Sequence, residues 1–384
     1  MKSYMKWKRL TAILLTAMAV ASTCGCRKKP SSDGPIILKD VKHAKNVILM
    51  IGDGMGSQQI KAGELYKGES LTMQNFPYMT KVETISKSDT ITDSAAAATA
   101  MATGVRTSNG IVGKDSGYTD LETIVDIAHS LGKRTGVIAT EELYGATPMG
   151  FSGHADTRGD RETLLTSAAT SSNVDLFASS TIAEEYQSIF TAAGYQLLAD
   201  ADDISESTAD KVFGSYIIPA VTESMSADGG VVAFDRLVTE ALEYLSKDKD
   251  GFFLMAEGSH IDHGGHNNDI CYMLEELLAF DAGVQAALEW AKGRDDTVVI
   301  VVADHETGGL EVDSLATHEE VLETYQNDGA GGWYFWLTTG HSSTDVNCYI
   351  NGANIDFAKY SFGKKGRIKN TDVFEIMKSL LQGE

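Results

Sequence analysis

Three runs of apolar residues constrain this chain more than any other feature. They are Asn46-Val-Ile-Leu-Met-Ile-Gly52, Gly251-Phe-Phe-Leu-Met-Ala-Glu257 and Thr297-Val-Val-Ile-Val-Val-Ala303. None alternates apolar with polar, so none suits a strand with one face in water. Each reads as a strand buried on both faces, which is the condition of a parallel sheet covered by helices. Helical patterns fill the intervals, and 384 residues are enough for one large sheet. The predicted fold class is therefore α/β, a three-layer α/β/α sandwich around a large, mostly parallel sheet.

Each run ends on polar groups that a strand does not favour: Asp53, Glu257 and the pair Asp304-His305. In open α/β sheets ligands bind at the carboxyl ends of the strands, so these side chains are expected at one edge. Asp53 is followed by Gly-Met-Gly with no lysine, which argues against a nucleotide-binding loop. Asp304 and His305 are metal ligands by type.

Thr90-Ile-Thr-Asp-Ser-Ala-Ala-Ala-Ala-Thr-Ala-Met-Ala102 adds a different element. The alanines favour a helix, and Asp93 or Ser94 is its natural cap. The hydroxyl of Ser94 then stands at the positive end of the helix, where free N–H groups and the macrodipole favour an anion. Ser94 is the candidate nucleophile, although a serine in this position also serves as an ordinary cap.

Asp262 and His266 are four residues apart after the second apolar run, so a helical turn there would aim carboxylate and imidazole at one ion. The long helix 267–292 is expected to follow. Trp333 to Leu337 reads as a short strand-like run ahead of His341. Further strands are expected at 79–85, 134–140 and 215–218. Helices are expected at 120–131, 162–170, 183–193, 234–247 and 371–381, the last packed on the sheet. The strand at 134–140 leads into a loop rich in Gly, Pro and polar groups that ends near Arg158, whose guanidinium is able to fork two phosphate oxygens. An arginine in Asp-Thr-Arg-Gly-Asp-Arg is also an ordinary member of a surface ion pair. Residues 160–248 carry no chemical motif.

The formal net charge of −22, with scattered Lys and Arg, argues against a nucleic-acid-binding module. A phosphate-bearing substrate would need local positive charge from arginine, a helix N-terminus or bound metal. At the N-terminus, Lys2, Lys6, Lys8 and Arg9 precede a short apolar run, the layout of an export signal. Residues 1–25 resemble a lipoprotein-type signal with Cys24 or Cys26 as the lipidated residue, and 26–44 read as a flexible tether. Residues 45–384 form one catalytic domain on this reading, placed in the periplasm or anchored to a membrane. Cys271 and Cys348 are expected as buried free thiols.

The motifs together resemble those of the alkaline phosphatases, from about Lys45 to about Ile350. They are Ile-Gly-Asp53-Gly-Met-Gly, Thr-Asp93-Ser94-Ala, Ala146-Thr147-Pro148, Arg158, Glu257-Gly-Ser-His-Ile-Asp262-His263-Gly-Gly-His266, Ala-Asp304-His305-Glu-Thr-Gly-Gly and Gly340-His341. The resemblance implies a phosphomonoester hydrolase with two zinc ions. Asp262, His266 and His341 would hold the first zinc, and Asp53, Asp304 and His305 the second. Ser94 would become the phosphoserine and Arg158 would bind the phosphate. Asp53, Thr147 and Glu257 would form a magnesium site.

Two positions depart from the family pattern. Gly145 stands where better-known members place an Asp or His that supports the third metal, and His263 where some have lysine. Water filling the gap at Gly145 is the expectation. The substrates implied are small phosphomonoesters, with a lipid anchor and a homodimer both left open. A phosphodiesterase or sulfatase on the same scaffold is the nearest alternative, and a non-catalytic phosphate or metal binder is a more distant one.

Overall fold

A computed structural model describes residues 43–220, 231–352 and 366–383. The export signal expected at 1–25, its cysteines Cys24 and Cys26, and nearly all of the tether lie outside the described residues.

The strands in chain order are β1 (Asn46–Gly52), β2 (Tyr78–Glu83), β3 (Arg134–Glu142), β4 (Leu176–Ser180), β5 (Gln196–Leu198), β6 (Val212–Tyr216), β7 (Phe252–Gly258) and β8 (Thr297–Ala303). They continue with β9 (Glu306–Thr307), β10 (Leu310–Val312), β11 (Tyr334–Trp336), β12 (His341–Ser342), β13 (Val346–Gly352) and β14 (Arg367–Lys369). Ten of them make one sheet in the order β14-β2-β13-β8-β1-β7-β3-β4-β6-β5. All its pairings are parallel except those of β13, which runs antiparallel to β2 and β8.

The expected apolar runs are β1, β7 and β8, side by side at the centre and buried at every residue. Helices cover them in two groups. On one side α1 (Ser57–Lys67) and α8 (Phe234–Leu245) both pack on α10 (Ile270–Ala291), with α8 against β3 and β7 and α10 against β1, β7 and β8. On the other lie α2 (Ser94–Thr103), α3 (Ile124–Ser130), α4 (Ala146–Ser152) and the C-terminal α12 (Asn370–Gln382), which touches β1 as expected. Outer helices α5 (Arg161–Ser171), α6 (Glu184–Ala192), α7 (Asp203–Glu206) and α11 (His318–Gln326) complete the set with α9 (His260–Asn267). The α/β/α sandwich is thus the observed architecture. Among the described residues no helix is long and apolar enough to cross a membrane.

Several local expectations needed correction. The helix expected from residue 120 begins at Ile124, because Thr123 accepts from the Asp126 N–H and Asp126 answers it in a capping box. The long helix expected from 267 is preceded by α9. Asn268 takes a left-handed φ of 53° between them, and Asp269 caps α10. Trp333–Leu337 does not supply a strand of the main sheet. It contributes β11, paired only with β10, and His341 lies in β12, paired with β9. Cys271 and Cys348 are both free; Cys348 is buried and Cys271 half-buried.

Candidate active site

Sheet register brings the first acids together. Gly52 lies beside Gly258 on one flank and Ala303 on the other, while Ala139 lies beside Glu257. Adjacent strands are about 4.8 Å apart, so Asp53, Glu257 and Asp304 must emerge together at one edge. Gly54 is required there. Its φ is +72°, and a Cβ on it would stand 2.7 Å from the Asp262 Cα, whereas the glycine lets its N–H reach Asp304 Oδ1 at 3.1 Å.

Helix α2 delivers the serine. Asp93 is the N-cap, its carboxylate accepting from the Ala96 N–H at 3.0 Å, and Ser94 opens the helix beneath it. Ser94 Oγ lies 3.2 Å from His305 Nε2. The same nitrogen is 3.1 Å from Asp304 Oδ2 and 3.5 Å from Asp53 Oδ1. Single donor atoms of Asp53, Asp304 and His305 all lie within 4.8 Å of one another, as do those of Asp262, His305 and His341.

The neighbouring group of side chains comes from α9 and β12. His266 Nε2 is 3.2 Å from Asp262 Oδ2 and 3.2 Å from His341 Nε2, which is 3.5 Å from Asp262 Oδ1. Backbone carbonyls fix both rings: Thr339 O lies 2.6 Å from His266 Nδ1, and Thr92 O lies 2.8 Å from His341 Nδ1. A carbonyl only accepts, so each Nδ1 carries a proton and each Nε2 is the ring nitrogen turned to the site.

Thr307 is a site residue that sequence reading missed. Its Oγ1 donates to Asp262 and faces His305 Nδ1 at 3.2 Å, tying the two ligand sets together. The only hint was its position three residues after Asp304.

These groups suit metal ions on the chemistry of the donors. Asp53 Oδ1, Asp304 Oδ2, Thr147 Oγ1 and both Glu257 carboxylate oxygens are buried without a hydrogen-bond partner among the described residues. Leaving so many buried acceptors unpaired is costly unless a cation satisfies them. Asp262, His266 and His341 bring a carboxylate and two imidazole nitrogens within 3.2–3.5 Å of one another, donors of the kind that zinc takes.

The electrostatics point the same way. On protein groups alone, burial and then the neighbouring charges of Asp304, Asp262 and Glu257 push the Asp53 carboxyl well above its usual range. Burial and then Glu141 do the same to Glu257, and burial and then Asp262 raise Asp304 to about 7. Burial pushes His305 well below its ordinary value, with His341 adding to it. Burial alone would raise Asp262, but hydrogen bonding to His266 prevails, with that to Thr307 adding to it, and holds it low. Hydrogen bonding to Asp262 lifts His266 to about 9. Crowded carboxylates that resist ionising together are the condition that a cation relieves.

Arg158 lies at the rim, 43% exposed, with Nη1 3.4 Å from Asp93 Oδ2. Its charge acts on His266, His305 and Glu141, which places it within electrostatic reach of the site. The expected residues therefore converge: Ser94, Asp53, Asp262, His266, Asp304, His305 and His341 through measured contacts, and Thr147 and Glu257 through unpaired atoms beside them.

A serine at a helix start, beside clustered carboxylates and imidazoles at the carboxyl edge of a parallel sheet, defines a hydrolase of the phosphatase class. Comparison with known proteins makes this specific. The family model "Alkaline phosphatase" matches residues 44–189 and 181–331, and the chain belongs to the alkaline phosphatase family. It is 30% identical to alkaline phosphatase 3 of Bacillus subtilis over 88% of this chain and 74% of that one. It is 31% identical to the Escherichia coli alkaline phosphatase over 93% of this chain and 91% of that one. The solved alkaline phosphatase of the Antarctic bacterium TAB5 superposes with a TM-score of 0.73 at 27% identity, covering 89% of this chain and 99% of that one. A histidine-to-glutamate variant of that enzyme, with Mg bound in its M3 site, superposes with a TM-score of 0.74 at 27% identity, with the same coverage.

Proposed function

We propose that the protein hydrolyses small phosphomonoesters through a phosphoserine on Ser94. Two zinc ions would be held by Asp262, His266 and His341 and by Asp53, Asp304 and His305, with magnesium at Asp53, Thr147 and Glu257. The observation that carries this reading is the position of Ser94 Oγ, 3.2 Å from a fully buried imidazole that also faces two carboxylates. Bound metal at such a site supplies Lewis acidity, making an oxygen a better nucleophile and neutralising charge on the phosphoryl group.

The chain's own groups do the rest. Arg158 forks two non-bridging oxygens of the ester, and Asp93 limits its swing. Ser94 Oγ gives its proton to solvent water and attacks phosphorus in line; the bond to the leaving oxygen breaks and the alcohol departs with a proton from water. The N-terminus of α2 faces the negative charge of the phosphoserine. Water then attacks the same phosphorus, the bond to Ser94 Oγ breaks, and the serine takes back a proton as inorganic phosphate leaves.

Arg158 and the acidic group around Glu257 favour monoesters over the diester or sulfate alternatives, because a doubly charged phosphoryl group uses both the guanidinium and the extra cation. Zinc analysis of the purified protein combined with hydrolysis of an aryl phosphate, a bis-aryl phosphate and an aryl sulfate tests the reading. Zinc uptake with preference for the monoester supports it, and preference for either other ester refutes it. We further propose that the chain is exported on its lipoprotein-type leader. Replacing Cys24 and Cys26 with serine should then move it from the membrane fraction to the soluble one.

A further inference from the structure

Gly145 opens α4, two residues ahead of Thr147, with a φ of −53° that any residue adopts. Backbone strain therefore does not explain the glycine. The side chain of Glu141 does. A Cβ on residue 145 would coincide with the Glu141 carboxylate and stand 2.9 Å from its Cγ. A side chain at 145 and the observed Glu141 are mutually exclusive.

Glu141 comes from the end of β3, two residues beyond Ala139, the register partner of Glu257. The pairing of β3 with β4 shifts register between Ile138 and Glu142, an irregularity of the kind that re-aims a side chain. The Glu141 N–H donates to Ser259 Oγ at 3.4 Å, fixing this strand end against β7. Among the charges acting on Glu257, that of Glu141 is the strongest. His260, the nearest cation in effect, is already engaged by Glu276, with Nδ1 3.6 Å from Oε1.

Two acids whose charges act on each other, one of them fully buried, call for a cation between or beside them. The unpaired Thr147 Oγ1 and Glu257 oxygens, all fully buried, point to the same ligand independently. We propose that Glu141 supplies, from a different backbone position, the acidic group that Gly145 lacks, and orders the water shell of magnesium held by Asp53, Thr147 and Glu257. It goes beyond the expectation that water fills the gap at Gly145, and it rests on the three-ion reading above. Contact through water fits a site with few protein oxygens, because magnesium then keeps several of its waters.

The test is calorimetric titration of the full-length, zinc-loaded protein with magnesium chloride, alongside zinc analysis and thermal melting. Wild type should bind one magnesium ion per chain and Glu257→Gln should lose it. Glu141→Gln should weaken binding roughly 10–100-fold with zinc content unchanged, the usual effect of losing an outer partner. Glu141→Ala should be equally weak, and adding Gly145→Asp to it should restore most of the affinity, which a merely structural glutamate would not allow. Undiminished magnesium binding by Glu141→Gln, or a folded double variant no better than Glu141→Ala, overturns the proposal and leaves the third site intact. A zinc-loaded wild type that takes up no magnesium overturns the third site itself and the role of Glu141 with it.

Discussion

Ser94 Oγ and His305 Nε2 lie 3.2 Å apart although 211 residues separate them in the chain. The imidazole is fully buried and its ionised form strongly disfavoured, so it meets the serine as a neutral ring. Ser94→Ala removes the attacking oxygen and leaves the ligands in place. Turnover of an aryl phosphate should fall by at least about a thousandfold, zinc content should hold, and no phosphate should remain on the acid-quenched protein. Covalent phosphate on the alanine variant would contradict the assignment.

Asp93 serves two elements at once. It caps α2 through the Ala96 N–H and holds Arg158 at 3.4 Å. Arg158→Ala should cost about 1.5–3 kcal/mol of transition-state binding, a loss in kcat/KM of roughly 10–150-fold. Because the guanidinium is 43% exposed, the melting temperature should barely move. Asp93→Ala should add a loss of about 1 kcal/mol in stability from the missing cap, whereas Asp93→Asn retains an accepting oxygen and should melt near wild type.

Acidity should tune the chelator-treated protein in a definite direction. Asp304 and Glu141 are both raised to about 7 by burial. An acid with a raised folded pKa binds its proton more tightly when folded. Stability therefore falls as pH rises from about 4 to about 7. His266, lifted to about 9, acts with the same sign: its contribution is complete below about 6.5 and lost as pH passes about 9. Melting temperatures after chelation should thus drop from mildly acid to alkaline buffer, and the rise on adding zinc should grow over the same range. Equal or greater stability of the stripped protein in alkali would contradict the charge crowding described above.

Thr307 ties the two proposed zinc ligand sets through Asp262 and His305. Thr307→Val keeps the volume and removes both contacts, so zinc affinity should fall about 10–100-fold while the fold persists. Competition with a zinc-sensitive dye is a direct measurement, and a valine variant that retains zinc as tightly as wild type would deny Thr307 this role.

Three uninterrupted apolar runs were enough to determine a parallel sheet, since no strand so apolar tolerates water on either face. Sequence likewise marked Asp53, Glu257, Asp304 and His305, because a polar group ending a buried strand has few other places to go. The Asp-Ser pair ahead of an alanine run gave away the start of α2. Strand order and the two-residue pairings around β12 required the tertiary structure. His341 reaches Asp262 from the short strand β12 beside β9, and no local pattern at 333–341 encodes that partner. Glu141 was silent for the same reason. Its carboxylate matters through the space left by Gly145 and the charge of Glu257, and only packing decides which distant residues share a volume.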